Sequence, residues 1–539
     1  MQPRKKPKVL FVQPKLPPSF WGMEFALPYS GYKYTNPPLG IMTLAGAISP
    51  EFDVEIRDEN VQDVLFETDA DIVGISGTLL QEFHISRLRE IATYFRNAGK
   101  LICIGGPVAN LTPDSVRQYC HVLFEGEGEY TWPQFLKDYM LDEHKEYYVQ
   151  EEKVDMSQAP LPRVDLINPM DYSSAQIQTT RGCPFTCEFC DIIVMYGRKV
   201  RAKPVERVIE EVRLWAEAGQ LFVFFSDDNF VGNRVYAKSL LVALIKFNEK
   251  RKHPVQFFTQ ASIDTARDPA LMEMMRQANF VGVFIGIESP RKTALAETLK
   301  VQNACTTDLV EAVHTIQSNG LFVSGGMIIG FDSDDKDIFE EQFEFLQKAG
   351  IPFAQLSLLE AMPKTPLWTR MQETGRLIEY RRDLCTNIEP LSMTYDELIT
   401  GYSKLIRKVY DYDNYVERYL RNLSHMKNHS FRQDRPVVTF RSFLTFCQIV
   451  FYFALSTHVE RRKFFADMMV GTFRINASAW RWTFRYMLNF IHFHRFASEI
   501  LMVVMAPAVE GDSAFLRHSQ NLRRLIEIRD DPQREPAGT

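Results

Sequence analysis

Three cysteines lie within eight residues, Cys183, Cys187 and Cys190 in the run RGCPFTCEFCD. Thiolates are soft ligands that suit iron–sulfur clusters or zinc. A structural zinc site is closed by four protein ligands, yet after Cys190 no Cys or His occurs before His253. The C-x3-C-x2-C spacing therefore describes an incomplete site. On iron it leaves one coordination position open, where a small molecule can bind and be activated. The competing reading of the same residues is a degenerate zinc knuckle.

The elements that must position these thiols form a repeating pattern. Between residues 176 and 370 six apolar runs alternate with helical stretches: SAQIQTTRG, QLFVFFSDD, PVQFFTQAS, FVGVFIGIES, FVSGGMIIGF and FAQLSLLEAMP. They predict a βα series with polar residues at the carboxyl ends of the strands, where barrel enzymes place their chemistry. Cys183 falls directly after the first run. The other ends supply Asp227 and Asp228, Gln260 and Ser262, Glu288 and Ser289, and Asp332. Each acid also reads as a solvated strand-end carboxylate, and no general acid–base pair stands out.

Residues 7–150 carry a second series, KVLFVQP, FDVEIRD, DIVGISG, KLICIGGP and HVLFEGEGE. Continuous apolar runs separated by helices predict a parallel sheet covered on both faces. Ligands of such sheets bind beyond the carboxyl ends of the strands. Those ends are Ser76-Gly77-Thr78, Gly105-Gly106-Pro107 and Glu125-Gly126-Glu127-Gly128-Glu129, and glycine lets backbone approach a ligand closely. Ordinary βα turns read the same way, and neither a G-x-G-x-x-G after the first strand nor a G-x4-G-K-[ST] is present. Instead the first strand opens into a long aromatic and proline-rich segment, Pro14 to Pro38, of a kind that is usually functional. Its composition suggests a cover over something large and flat.

At 539 residues with 45% hydrophobic and 24% charged content, the chain predicts a multidomain globular protein. A net charge of −6 and a pI near 6.1 argue against nucleic acid as a partner. The N-terminus MQPRKKPKVLFVQP has no apolar h-region, and Cys103, Cys120, Cys305, Cys385 and Cys447 are scattered, so a reduced, cytoplasmic protein is expected.

The cysteine motif, with Phe189 before its last thiol, resembles that of radical S-adenosylmethionine (SAM) enzymes. The resemblance implies a partial (β/α)6 barrel in which three thiolates hold a [4Fe-4S] cluster and the methionine portion of SAM chelates the fourth iron. It places Asp227 and Asp228 at the SAM amino group and Glu288 at the ribose or amino acid, and adds Gln260 and Ser262 as strand-end SAM contacts. Gly326-x-Ile328-x-Gly330 matches the start of the element that packs on adenine, although Ser333 stands where that element ends in Glu.

A βαβ domain ahead of this barrel resembles the cobalamin-binding domain of class B members. Expected cobalamin contacts are Pro38, Leu39 and Gly40 of PPLG, Ser76, Gly77, Thr78 and Leu80, Gly105 and Gly106, and Glu125, Gly126, Glu127 and Gly128. The D-x-H-x-x-G element that carries a cobalt-binding histidine elsewhere is absent. His84 reads as a satisfied helix histidine, and Leu79 and Leu80 would face the lower side of cobalt.

The expected division is 1–150 cobalamin-binding, 151–175 linker, 176–375 barrel and 376–539 helical. In the last part the apolar stretch 443–456 is too short to span a bilayer. It predicts a buried core helix, or else an interfacial surface or apolar pocket with Arg461, Arg462, Lys463, Arg474 and Arg481 facing lipid phosphates. Phe496 to Val509 is similar, and Phe515 onward reads as a short helix and tail. His492 and His494, two residues apart, point to different helix faces and are expected to be surface or core residues rather than metal ligands.

PYSGYKYTNPPLGIMTLAG and the length extend the resemblance to the B12-binding subfamily with a C-terminal helical domain of unknown function, which includes hopanoid C-2 methylases. It implies methylation of an unactivated carbon, through a 5′-deoxyadenosyl radical and methylcobalamin, on a small-molecule or lipid-like apolar substrate. Expected partners are a reducing protein such as flavodoxin or ferredoxin, no nucleic acid, and peripheral contact with the inner face of the cell membrane. Alternatives are B12-dependent oxidation, cyclisation or ring rearrangement without methyl transfer, an RNA methylthiotransferase, and a non-catalytic sensor. The lack of a second three-cysteine cluster and of a basic tail counts against the RNA enzyme.

Overall fold

The computed structural model describes residues 6–64, 66–378, 385–429 and 439–500. Near the N-terminus, β1 (Lys8–Gln13), β2 (Asp53–Asp58), β3 (Ile72–Ser76), β4 (Leu101–Gly105), β5 (Val122–Glu125) and β6 (Tyr147–Val149) form one parallel sheet in the order β2-β1-β3-β4-β5-β6. Successive residues of β1, Val9 to Val12, are buried alternately in the two cores on either face, which is why the run is apolar throughout. Five strands are predicted here. The sixth, β6, is a three-residue edge strand with Tyr147 and Val149 exposed, too short to carry a periodic signal. The strand order reverses between β1 and β3, so the crevice beyond their carboxyl ends is a natural ligand site.

In the second sheet β7 (Ala175–Ile177) is followed by a two-residue antiparallel ladder, β8 (Thr180–Arg181) with β9 (Arg201–Ala202). Then come β10 (Phe222–Phe225), β11 (Gln256–Ala261), β12 (Phe280–Glu288), β13 (Phe322–Ile329) and β14 (Phe353–Leu358), parallel and in the order β7-β10-β11-β12-β13-β14. These are the six predicted strands of a partial barrel. The first differs in detail: SAQIQTTRG breaks after Ile177, because Thr179 and Thr180 turn their amides and hydroxyls toward Asp227. Pleating sorts the aromatic residues. Phe225 stacks on Phe257 (5.2 Å), which meets Phe280 (5.4 Å) in the main core. The alternate residues Phe224 and Phe258, paired in register, lie on the opposite face.

Helices follow the barrel, as expected: Pro366–Glu373, Tyr395–Val409, Tyr412–His425, Phe440–Phe453, Val459–Asn476 and Trp480–Arg495. A Thr394–Glu397 capping box starts the second and Asp411 caps the third. Buried Arg418 fastens that third helix to the barrel, donating to the Ile351 carbonyl (3.2 Å) and to Gln347 Oε1 (2.9 Å). The stretch 443–456 is helical to Phe453 but is not a core helix: Ile449 and Phe453 are buried while Phe443, Leu444 and Phe451 are exposed. Of the apolar run from Phe496 to Val509, residues beyond 500 lie outside the described residues, as does the helix expected after Phe515. Among the described residues no helix is long and apolar enough to cross a membrane.

Candidate functional site

The cysteine loop leaves β8 and returns at β9, so the short ladder pins both of its ends. Gly182 opens it with φ of 92°, and a Cβ there would lie 2.6 Å from the Lys199 carbonyl oxygen, so only glycine fits. The loop is held by its backbone. The Gly182 N–H donates to Asp228 Oδ2 (2.7 Å), Cys183 N–H to Gly197 O (3.3 Å), Cys190 N–H to Cys187 O (3.2 Å) and Glu188 N–H to Thr298 O (2.9 Å). The Glu188 carboxylate accepts two bonds from Arg370, at 2.7 and 3.0 Å.

Cys187 is buried and the other two thiols are partly exposed. Burial pushes the Cys183 thiol up and lifts Cys190 to about 12, so an undressed loop keeps these thiols protonated. Lys300, its side chain largely but not fully buried, stands beside them, ion-paired to Glu288 at 2.6 Å. Burial alone would lower its pKa, but Glu288 and the neighbouring thiols hold it above the ordinary lysine value. Gln302 Nε2 points at Cys187 Sγ from 3.8 Å. A largely buried ammonium and an amide donor beside three thiols fit an iron–sulfur cluster, whose thiolate ligands bring negative charge. Among the described residues no three His, Cys, Asp or Glu side chains gather as on a single metal ion.

The structure separates the two adjacent aspartates. Asp227 is fully buried and accepts from the Thr179 N–H (2.6 Å) and hydroxyl (2.5 Å) and from the Thr180 N–H (3.2 Å) and hydroxyl (3.0 Å). That carboxylate is a strut. Asp228 lines the large cavity described below, and burial raises its pKa to about 7, against the opposing pull of the Gly182 amide. Glu288 ends β12 with φ of 67°, a strained value for a residue other than glycine, and its carboxylate is taken by Lys300. Room for this pair comes from Gly286, where a Cβ would lie 2.2 Å from Glu288 Oε1.

Phe189 and Ile328 pack against one small core that includes Phe331, Leu359 and Leu367. Gly326 passes so close to Phe284 that a Cβ would meet its ring at 2.9 Å. The Gly330 and Phe331 amides both donate to Asp334 (2.9 and 3.1 Å), so the acid closing this turn sits one position after Ser333. The Gln260 carbonyl accepts from Phe230 N–H. Ser262, bonded to Asn229 (3.2 Å), belongs to a different cavity of about 510 Å³ behind Pro184 and Phe185.

The large cavity, of about 720 Å³, joins the carboxyl ends of both sheets. Of the residues expected to meet cobalamin, Pro38, Leu39, Gly40, Ser76, Thr78, Gly105, Gly106, Gly126, Glu127 and Gly128 line it. Gly77, Leu80 and Glu125 do not. Gly77 packs under Val108, Glu125 accepts from the Tyr147 hydroxyl, and Leu79 takes the wall position next to Leu80. Nothing lies within 4 Å of where a Gly40 Cβ would be, so this wall leaves open space. Gln81 Oε1 and Glu129 Oε2, both buried in the wall, have no hydrogen-bond partner among the described residues. An open glycine wall with unsatisfied acceptors fits a large ligand rich in amide donors, as cobalamin is.

His84 is a satisfied histidine, as expected. Its Nε2 accepts from Thr78 N–H (3.0 Å) and its Nδ1 meets the Lys15 carbonyl (3.1 Å), so both ring nitrogens are engaged in holding the loop after β3.

Two features of the site lay beyond the sequence reading. Glu127 and Glu129, nearly inaccessible, form an ion-pair network with Arg181 and Arg201 of the cysteine-loop ladder: Arg181–Glu127 2.8 Å, Arg181–Glu129 2.5 Å and Arg201–Glu127 2.7 Å. The glycine-rich end of one sheet is thereby clamped to the rim of the other. The second feature is the barrel side of the cavity, with Gln176, Gln178 and Ser226 in its wall. Their alternation along QIQ and FFS was the available signal.

The long segment after β1 is the roof, as its composition suggested. Leu16, Pro17, Ser19 and Trp21 line the cavity, and Trp21 reaches over Phe284 (5.0 Å) and Phe224 (6.1 Å). The C-terminal helices hold it down. Phe20 packs on Phe493 (5.9 Å), and His492 meets the Ser19 carbonyl (3.1 Å) and the Phe25 N–H (3.4 Å). His492, its pKa driven down to about 3 by burial, is a core residue, and His494 is half-buried with Nδ1 at the Tyr410 carbonyl (2.9 Å).

A partial barrel with three free thiols at its rim defines a radical SAM protein, and the radical SAM superfamily matches residues 177–358. A domain of unknown function, DUF4070, matches 365–503. An uncharacterized methyltransferase of Synechocystis sp. is 35% identical, over 76% of this chain and 77% of that protein. The hopanoid C-2 methylase of Rhodopseudomonas palustris is 30% identical, over 78% and 80%. The fold is also that of the cobalamin-dependent SAM radical enzyme OxsB, solved with aqua-cobalamin and SAM bound, at a TM-score of 0.59 and 16% identity, covering 98% of this chain and 85% of that one. The chain belongs to the B12-binding radical SAM family, in the subfamily that ends in this helical domain and includes hopanoid C-2 methylases. It is an enzyme of that class, and the family's cofactors are a [4Fe-4S] cluster, SAM and cobalamin.

Proposed function

We propose that this enzyme methylates an unactivated carbon of an apolar small molecule, a hopanoid or another isoprenoid lipid. The observation that carries the reading is the single cavity shared by the glycine-rich strand ends of one sheet and the Asp228 rim of the other. When bound, the cluster and SAM supply a radical that removes hydrogen from carbon, and cobalamin supplies the methyl group.

The chain does the rest by position. Residues 1–150 hold cobalamin against the glycines of the β3, β4 and β5 ends. Residues 176–375 hold the cluster through Cys183, Cys187 and Cys190, with Asp228 accepting from the SAM amino group and Phe189, Ile328 and Gly326 shaping the adenine side. The Arg181–Glu127 and Arg201–Glu127 pairs keep the two cofactor walls in register. Trp21, Phe224, Phe258 and Phe284 form an aromatic row across the barrel mouth that excludes water from a carbon radical and favours an apolar substrate. The C-terminal helices secure the roof through Tyr410, Tyr452, His492, Phe493 and Phe496. Electrons come from a reducing protein of the flavodoxin or ferredoxin kind, and the enzyme touches the inner face of the membrane peripherally, where such a substrate partitions.

The test is anaerobic turnover of cluster- and cobalamin-loaded protein with methyl-labelled SAM and a hopanoid. Labelled product together with 5′-deoxyadenosine is expected. Formation of 5′-deoxyadenosine with an unlabelled, altered product would replace methyl transfer by oxidation, cyclisation or rearrangement, and no 5′-deoxyadenosine would end the enzymatic reading.

A further inference from the structure

The helices Phe440–Phe453 and Val459–Asn476 carry apolar side chains on both sides, and those not used in packing are turned outward. Phe440 is 76% exposed, Phe451 71%, Leu455 68% and Val459 68%, with Phe443 and Phe473 above one half. At 100° per residue, Phe440, Phe443, Leu444, Cys447 and Phe451 fall on one face of the first helix, opposite buried Ile449 and Phe453. On the second, Val459, Ala466, Val470 and Phe473 fall opposite buried Phe464, Met468 and Thr472.

Both helices rest their inner sides on the same support. Phe453 packs on Phe464 with tilted rings (5.0 Å) and Phe464 stacks on Phe490 (4.4 Å), while Phe446 and Phe465 meet Phe484 (4.6 and 6.0 Å). Their outer sides therefore point away from the helix Trp480–Arg495 together. Apolar area this contiguous marks a binding surface.

Charge identifies what the surface meets. No Asp, Glu, Lys or Arg occurs between Arg441 and Glu460, and the edges of the face are basic. Residues 439–481 contain six basic side chains, Arg441, Arg461, Arg462, Lys463, Arg474 and Arg481, against two acidic ones, Glu460 and Asp467, in a chain of net charge −6. Exposed Arg462 and Arg474 flank the apolar row of the second helix, and Trp480, with Arg481 over its ring (5.2 Å), stands at the edge, where aromatic residues favour a lipid headgroup layer. An apolar face bordered by arginine and lysine matches a bilayer surface bearing anionic phospholipids.

We propose that the hairpin 440–476 is a membrane-docking element that seats Phe440, Phe443, Leu444, Phe451, Leu455 and Phe473 among the acyl chains of an anionic phospholipid bilayer. Its inner side leads to the cavity: Tyr452 meets Tyr29 (5.4 Å) and Arg441 covers Tyr32 (4.5 Å), both in the segment whose Tyr34 to Leu39 line the cavity wall. Docking thus places an apolar substrate's reservoir beside the roof of the site. The inference rests on the peripheral-contact part of the proposed function and is independent of methyl transfer.

The test is flotation of the loaded full chain with vesicles of equal parts phosphatidylglycerol and phosphatidylcholine, and with phosphatidylcholine alone. Binding to the anionic vesicles is expected. It should fall at least about tenfold in F440S/F443S/F451S and by as much in R474E/R481E, with unchanged melting because these side chains are exposed. A polarity-sensitive dye on exposed Cys447, in a Cys305→Ser background, should shift to the blue only with anionic vesicles. The assignment is overturned if wild type does not float, if the serine variant floats as well as wild type, or if the dye is already shielded without lipid. In that last case sedimentation distinguishes a second copy from the chain's own remaining segment as the cover. Methyl transfer to a detergent-dispersed substrate is assayed separately, so failure of docking and failure of catalysis are told apart.

Discussion

Asp228 gives the sharpest test of how the site receives SAM. Raising its pKa from an ordinary 3.8 to about 7 corresponds to about 4 kcal/mol between its two protonation states. The folded-state value lies above the unfolded one. Between these values the unfolded chain releases a proton that the folded chain keeps, so the empty protein loses stability as pH rises through that window and levels off above about 7. An ionised Asp228 is costly until something donates to it, and the amino group of SAM is the donor expected at this wall. At pH 8 about nine-tenths of Asp228 is ionised and at pH 6 about one-tenth, so its contribution to SAM binding weakens about tenfold between them.

The assay is equilibrium binding of SAM to cluster-loaded protein at several pH values, for wild type and Asp228→Asn. The amino group of SAM itself titrates at about 7.8 and weakens binding in both proteins alike, so it cancels in the ratio of the two Kd values. That ratio should fall about tenfold from pH 8 to pH 6. The empty Asp228→Asn protein should also melt higher than wild type at pH 8 and alike at pH 4. A ratio that stays constant with pH refutes the assignment, and the same loss from Asp227→Asn with no pH dependence would make the pair a purely structural device.

Lys300→Met removes the largely buried ammonium beside the three thiols and leaves Glu288 unpaired, so reduction of the cluster becomes harder; taking ~6 Å and an effective dielectric of ~20, the potential moves negative by on the order of 100 mV, read by an EPR-monitored redox titration, and an unmoved potential refutes it. His84→Ala should leave the cobalt-centred absorption spectrum of cobalamin-loaded protein unchanged, since both ring nitrogens serve the loop after β3, while lowering stability by about 1–3 kcal/mol; a spectral change would make it a ligand. Glu127→Gln takes the charge from between Arg181 and Arg201 and should cost about 3–5 kcal/mol, seen as faster amide exchange at both 125–130 and 180–202, and exchange confined to one segment would refute a clamp between the sheets.

What the sequence disclosed follows from how locally each feature is encoded. The thiol spacing is contained in eight residues and needs no fold to be read. The strands were legible because parallel sheets covered on both faces demand apolar runs, and β6 was not because an edge strand of three residues has no period. Asp227 and Asp228 are equivalent in sequence. They differ only in which side of the chain they leave, and that turns on the break after Ile177 that sends Thr179 and Thr180 to Asp227. Lys300 and Gln302 lie over a hundred residues from the thiols in a short helix, Val301–Ala304, and its start, without any periodic signal. The run 443–456 was plainly apolar, but an apolar helix carries no mark of which side is buried. That is decided by Phe484 and Phe490, which exist as a support only in the folded protein.

The roof of the cavity shows why the three parts occur in one chain. Its first wall is the end of the β1–β3 crevice, its second the barrel rim at Gln176, Ser226 and Asp228, and its cover the segment that leaves β1. That segment has little structure of its own, only one short helix, Leu27–Ser30. It is ordered by what it touches. Phe20 is held by Tyr410, Phe493 and Phe496, Ser19 and Phe25 by His492, and Tyr29 by Tyr452, all from the C-terminal helices. A carbon radical generated in the barrel must be kept from water while a methyl donor waits across the cavity, and the cover that does this depends on helices encoded some four hundred residues later. The C-terminal domain is therefore part of the reaction vessel, and the outward face of its hairpin couples the same roof to the place from which an apolar substrate would come.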